Sequence, residues 1–348
     1  MEVTAAGWVA TIGVIVVLLA VDLAVGALRP HAVGFAEATA WSVFYIAVAL
    51  AFGVVLGLVA GWELGGQYFA GYLVEKSLSV DNLFVFVVIM TTFAVPAEHQ
   101  QKALTFGIVL ALIMRAIFIA VGAALLELFS FMFLVFGLLL IWTAVQLYRH
   151  RDQDPEVEDN ALVRITRRVL PTTTEYQGGR LVTRVGGRRV VTPLFIVLVA
   201  IGSTDLLFAL DSIPAVFGVT DEPYLVFCAN AFALLGLRAL FFLVQGLLDR
   251  LVYLSTGLAI VLAFIGVKLV LHWGHTLSGA VPEIPTLTSL AVIVAILAVT
   301  TVASLARSRR DPTARAHAGS LRGPSTREEV EPPTDDRRSG PGPDRAPS

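Results

Sequence analysis

The chain has one cysteine, Cys228, so it forms no intrachain disulfide and holds no Cys/His metal cluster. Charge is also scarce. Only 15% of residues are Asp, Glu, Lys or Arg, against 56% hydrophobic, and the mean hydropathy is +0.79. A soluble domain needs a charged surface, which most of this chain cannot supply. The formal net charge of −2 gives no footing for a nucleic-acid partner. No HExxH, GxSxG or paired catalytic His/Ser set is present, so the chain does not read as an enzyme. The N-terminus lacks the basic region of a signal peptide, and its apolar stretch reads as a retained helix.

What is present is a series of apolar runs of about 20 residues, each long enough to cross a bilayer core. Nine spans are predicted, at about Trp8–Leu28, Trp41–Ala60, Tyr68–Val95, Ala103–Leu125, Phe129–Tyr148, Pro193–Val219, Tyr224–Gly246, Leu251–His272 and Leu287–Leu305. The fold class is an all-α polytopic membrane protein. Taken alternately, one set of loops carries Arg29, Lys102, the basic stretch Arg149–Arg189, Arg250 and Arg307. The opposite set carries Glu63, Glu127, Asp221, Glu222 and Glu283, with no Lys or Arg. The positive-inside rule then puts the N-terminus outside and the C-terminus in the cytoplasm of a plasma (inner) membrane.

Residues 149–191 form one long basic loop. A short helix is expected near Ala161–Val169 and a small hairpin around Gly178-Gly179 and Gly186-Gly187. The loop reads either as a linker near anionic headgroups or as a docking place for membrane or exported-protein partners. Residues 307–348 are rich in Pro, Gly, Ser, Arg and Asp, a composition of disorder.

The third to fifth spans resemble the sixth to eighth. Glu75 and Asp81 share their spacing with Asp205 and Asp211. The next span of each set reads L-x-x-R-A-[IL]-F, around Arg115 and Arg238. Three spans per unit is odd, so the units would enter the membrane in opposite senses. This inverted repeat of three helices is the plan of many secondary transporters. The organisation is therefore residues 1–65 with two leading helices, 66–148 as the first repeat, 149–191 as the loop, and 192–273 as the second repeat. Residues 286–306 form a ninth helix, and 307–348 the tail.

Within the spans lie five acids (Asp22, Glu75, Asp81, Asp205, Asp211) and four bases (Lys76, Arg115, Arg238, Lys268). Each costs roughly 2.5–3.5 kcal/mol at a helix centre. They must pair, face the bundle interior, or meet water or an ion. Six residues turn a helix by about 600°, so Glu75 and Asp81 point about 120° apart. Seven residues nearly restore the face, which aligns Glu75 with Asn82, Thr204 with Asp211, and Asp205 with Ser212. Pro214 removes the helical partner of the Leu210 carbonyl. A break there would gather Asp211, Ser212 and a freed carbonyl, and favours the Asp211 side as the site.

Carboxylate, amide and hydroxyl oxygens are hard ligands that suit Mn²⁺, Mg²⁺ or Ca²⁺. Asp22 either completes the site or pairs with a base, and Asn230 is a further candidate ligand. Arg115 and Arg238 are expected to neutralise carboxylates. Lys76 and Lys268 would do likewise or serve as moving counter-charges. His272 and His275 read as interfacial.

The stretches Glu75-Lys-Ser-Leu-Ser-Val-Asp81-Asn82, Thr204-Asp205-Leu-Leu-Phe-Ala-Leu-Asp211-Ser-Ile-Pro214 and Asn230-Ala-Phe-Ala-Leu-Leu-Gly-Leu-Arg238 resemble the TerC/Alx family of integral membrane proteins. The likeness covers about residues 8–305. It implies a role in metal-ion homeostasis, with manganese export the best-supported activity, and an older association with tellurium resistance. It also implies that Glu75, Asp81, Asn82, Asp205 and Asp211 form an intramembrane polar site. Gly202 and Cys228-Ala229 depart from the family pattern, where relatives often have an acid and Thr-Ser. The expectation is a divalent-cation transporter, with Mn²⁺ as cargo and no permanently bound cofactor. The alternative is a membrane scaffold that assists metal loading of exported proteins.

Overall fold

The structure, a computed structural model, describes residues 3–28, 34–150, 161–173, 176–177, 179–185, 187–244, 253–279 and 281–310. Its elements in chain order are α1 (Ala5–Leu28), α2 (Phe35–Ala60), α3 (Trp62–Thr92), α4 (Ala97–Leu128), α5 (Met132–Arg149), α6 (Ala161–Val169), β1 (Val182–Val185), β2 (Arg188–Val191), α7 (Pro193–Phe217), α8 (Pro223–Leu234), α9 (Leu237–Val244), α10 (Leu254–Leu277) and α11 (Thr286–Arg310). The all-α membrane architecture expected from the apolar runs is found.

Among the described residues, seven helices are long and apolar enough to cross a membrane: α1, α2, α4, α5, α7, α10 and α11. The predicted seventh span is not one helix. It is α8 and α9, bent by 42°. The break falls at Leu235-Gly236, where Gly236 adopts φ 74°. A Cβ there would also lie 2.6 Å from the Tyr45 ring, so the position demands glycine on two counts. Helix α3 has 31 residues, about 46 Å, which exceeds a bilayer core. Glu75, Lys76 and Asp81 crowd its middle, so it falls short of the hydropathy of the other spans.

The break expected at Pro214 is absent. Helix α7 continues through Pro214 to Phe217. Proline removes one N–H, but Pro214 lies in the last turn of α7, where little helix remains to be kinked. Proline instead starts helices here. Pro193 and Pro223 sit in the first turns of α7 and α8, where a missing N–H costs nothing.

Helix packing is reciprocal. Helix α3 packs on α8 while α4 packs on α7, and α3 also meets α7. The most extensive pairing is α5 with α10. In it Gly137 meets Gly266: a Cβ on either would sit 2.8 Å from the other's carbonyl oxygen. Small residues let membrane helices approach to backbone contact, where dispersion replaces the absent hydrophobic drive. Helices α1, α2, α4 and α11 expose much of their apolar surface outward, as lipid-facing helices do.

The basic loop has the two elements expected of it. Helix α6 buries Val163 in the cluster that contains Leu194 and Val197 at the start of α7. Strands β1 and β2 pair antiparallel around Gly187, with Arg184 opposite Arg189. The loop is tied down on the α3–α4 turn. The Tyr176 hydroxyl donates to the Phe93 carbonyl at 2.7 Å, and Lys102 Nζ to the Gly179 carbonyl at 2.7 Å. Helix α11 runs to Arg310, four residues into the stretch expected to be disordered tail, and residues 311–348 lie outside the described residues.

Candidate functional site

The seven-residue alignment of α3 and α7 places Glu75 with Asn82, and Asp205 with Ser212. All four side chains meet one residue, Arg115 of α4. Arg115 Nη2 donates to Asp205 Oδ1 at 3.1 Å and Nε to Asp205 Oδ2 at 3.5 Å. Its Nη1 donates to Glu75 Oε1, and to Ser212 Oγ at 3.3 Å. With the Asn82 amide turned so that its nitrogen donates to the Leu78 carbonyl at 3.0 Å, its oxygen accepts from Arg115 Nη2 at 3.1 Å. The planar fork thus spends its five N–H donors on one cluster. Arg115 and Glu75 are 0% exposed and Asp205 is 2% exposed. Two carboxylates around one guanidinium leave a formal −1 at the bundle centre.

Other buried polar atoms of α3 and α8 are not matched. Glu75 Oε2, Ser79 Oγ and both amide atoms of Asn230 are buried without a hydrogen-bond partner. Ser79 lies one turn after Glu75 on α3. Asn230 belongs to α8 beside α3, next to Ala229, which faces Gly71 one turn before Glu75. Buried oxygens without partners cost free energy unless water or an ion satisfies them.

The second acid of each pair lies elsewhere. Asp211, which the proline argument favoured, is half-buried and accepts from Thr143 of α5 at 2.9 Å. It does not join Arg115, because α7 stays helical and six residues turn it away from Asp205. Asp81 is buried, with Oδ1 lacking a partner. Thr204 folds back on the Ala200 carbonyl at 2.7 Å and does not reach the centre.

The remaining bases have separate roles. Arg238 Nη2 donates to Asp22 Oδ1 at 3.0 Å, and the Tyr45 hydroxyl donates to the same oxygen at 3.2 Å. Asp22 therefore pairs with a base instead of completing the central site. Lys76 Nζ donates to the Ala233 carbonyl at 3.1 Å, in the last turn of α8. That carbonyl has lost its helical partner at the Gly236 break, so Lys76 caps the helix end and is not a free counter-charge. Lys268 is buried in α10 within electrostatic reach of Asp221 and Glu283. His272 bonds Glu283 at 2.8 Å and His275 bonds the Val281 carbonyl at 2.7 Å, both near the end of α10. Sequence reasoning singled out neither Thr143 nor Tyr45. Their only signal is a hydroxyl inside an apolar span. Among the described residues, no three of His, Cys, Asp and Glu come together. The central carboxylates are held by arginine instead.

Apolar spans wrapped around a buried centre of paired charges define a multi-pass integral membrane protein. The chain belongs to the integral membrane protein TerC family, which matches residues 60–312. It is 46% identical over 289 residues to an uncharacterized membrane protein of Mycobacterium bovis, covering 80% of this chain and 72% of that one. It is 42% identical over 228 residues to the chloroplastic thylakoid membrane protein TERC of Arabidopsis thaliana, covering 66% of this chain and 59% of that one. A protein of Photorhabdus laumondii named as a membrane-bound redox modulator, Alx, is 35% identical over 266 residues, covering 74% of this chain and 83% of that one. No solved structure matches.

Proposed function

We propose that the protein carries a divalent metal ion across the membrane, with Glu75 and Asp205 as its anionic ligands and Arg115 as a resident counter-charge. The observation that carries this reading is the convergence of one acid from α3 and one from α7 on a single fully buried arginine. A pair of buried carboxylates without a cation would cost several kcal/mol. Arg115 removes that cost when no metal is bound. A divalent ion brings a larger charge and displaces the guanidinium, and Arg115 returns when the ion leaves. The site is then never left without a positive charge, which lowers the barrier to release.

The donors suit a hard cation. Glu75, Asp205, Asn82, Ser212 and the partnerless oxygens of Ser79 and Asn230 offer carboxylate, amide and hydroxyl ligands with no sulfur. Mn²⁺ is the preferred cargo and export the preferred direction. The reciprocal packing of α3 on α8 and α4 on α7 supports two inverted units that rock around a central site. Asp211 and Asp81 lie off that centre and are assigned to proton exchange along the path. A redox role of this chain's own draws no support from its thiol content, because Cys228 is its one cysteine and is 0% exposed.

The test is uptake of Mn²⁺, Ca²⁺, Mg²⁺ and Zn²⁺ into proteoliposomes holding only this protein, with a pH gradient on and off. Saturable Mn²⁺ flux that responds to the gradient is expected. Absence of flux for every ion would leave the scaffold reading in its place.

A further inference from the structure

Helix α6 carries a feature that ion transport does not use. At 100° per residue, Leu162, Ile165 and Val169 fall within about 60° of one another. They are 45%, 53% and 71% exposed, on a helix whose opposite flank buries Val163 against the start of α7. Arg164 and Arg168 border this apolar stripe on the side away from Val163, and both are exposed.

The adjoining hairpin adds charge of the same sign. Residues 161–191 hold seven arginines and one acid. The hairpin is fastened to the end of α6, because Val191 N donates to the Pro171 carbonyl at 2.9 Å. Within it Arg184 stands directly opposite Arg189, and Val185 opposite Arg188. Like charges in register destabilise a strand pair unless an anion lies over them. Chain connectivity sets the height of this assembly. Strand β2 ends at Val191 and the membrane helix α7 begins at Pro193.

We propose that α6 and the arginine hairpin form an interfacial docking surface for anionic phospholipid. The stripe of Ile165 and Val169 enters the acyl boundary, while Arg164, Arg168, Arg184 and Arg189 meet headgroup phosphates. An apolar stripe edged by arginine at the mouth of membrane helices has the chemistry of an interfacial amphipathic helix. Arginine in particular binds phosphate oxygens in pairs. Lipid would thereby anchor the start of α7, the helix that carries Asp205.

The test is hydrogen–deuterium exchange of the full chain in nanodiscs of phosphatidylcholine alone or with phosphatidylglycerol. Peptides across residues 161–191 are expected to exchange roughly tenfold more slowly with phosphatidylglycerol, and less so at high salt. The protection should vanish in Arg164→Gln/Arg168→Gln/Arg184→Gln/Arg189→Gln. It should weaken in Ile165→Ser/Val169→Ser, which keeps every charge. Equal exchange in both lipids, or protection that survives the arginine substitutions, would overturn the proposal. So would equal protection from inorganic phosphate in phosphatidylcholine. Protection in both lipids that is released by removing residues 311–348 would assign the surface to the chain's own tail and overturn it too.

Discussion

Arg115 Nη2 lies 3.1 Å from Asp205 Oδ1, and the same guanidinium holds Glu75. One arginine thus joins α4 to both acid-bearing helices with no exposure to solvent. Removing it leaves two buried carboxylates facing each other. Arg115→Met is expected to lose about 3–5 kcal/mol of stability without metal. If the guanidinium and the metal compete for the same oxygens, Mn²⁺ should stabilise this variant more than the wild type. Melting temperatures with and without Mn²⁺ measure this. A smaller Mn²⁺ shift in the variant would mean that Arg115 helps to build the metal site and does not compete for it.

The Asp22–Arg238 pair joins α1 to α9 just after the Gly236 bend. Its charged groups lie 3.0 Å apart, and the pair shares no partner with Arg115. Arg238→Met strands a buried carboxylate and should cost about 3–5 kcal/mol, whereas adding Asp22→Asn should recover much of that loss. Thermal unfolding of the two single variants and the double variant gives the coupling. Additive losses would show that the pair is energetically independent.

Gly137 and Gly266 hold α5 and α10 at backbone contact. Gly266→Val has no room, since Cβ alone would sit 2.8 Å from the Gly137 carbonyl oxygen. A loss of about 1–3 kcal/mol, or loss of folded protein altogether, is expected from overpacking. Size-exclusion profiles and melting temperatures report it. A variant as stable as wild type would mean that this helix pair is not a tight interface.

Asp211 accepts one hydrogen bond, from Thr143 at 2.9 Å, and is half-buried. If Asp211 is a proton-exchanging group, it should be dispensable for binding but not for coupling. Asp211→Asn should carry Mn²⁺ down its own gradient while losing the response to an imposed pH gradient. Flux measured with the gradient on and off decides this. Retained coupling would remove Asp211 from the proton path.

Much of this was legible in the sequence because helical geometry is regular. The apolar runs mark membrane helices, and the seven-residue alignment puts Glu75 with Asn82 and Asp205 with Ser212, all of which meet Arg115. The hairpin and α6 follow from glycine spacing and composition. The helix break was misplaced. Proline marks a break only where helix remains on both sides of it, and Pro214 sits in the last turn of α7. The real break is at Gly236, where the Tyr45 ring packs against a residue with positive φ. That constraint comes from α2, far along the chain. The roles of Lys76 as a helix cap and Thr143 as a partner of Asp211 depend on similar long-range packing, which one helix's periodicity does not contain.

The central claim is that Glu75 and Asp205 carry the ion between them. Its most direct test is Mn²⁺ flux into proteoliposomes of wild-type, Glu75→Gln and Asp205→Asn proteins, matched for folded protein by melting temperature. Each substitution is expected to lower flux by roughly two orders of magnitude, since each removes half of the anionic charge on which a buried cation depends. Wild-type flux from either variant would contradict the account.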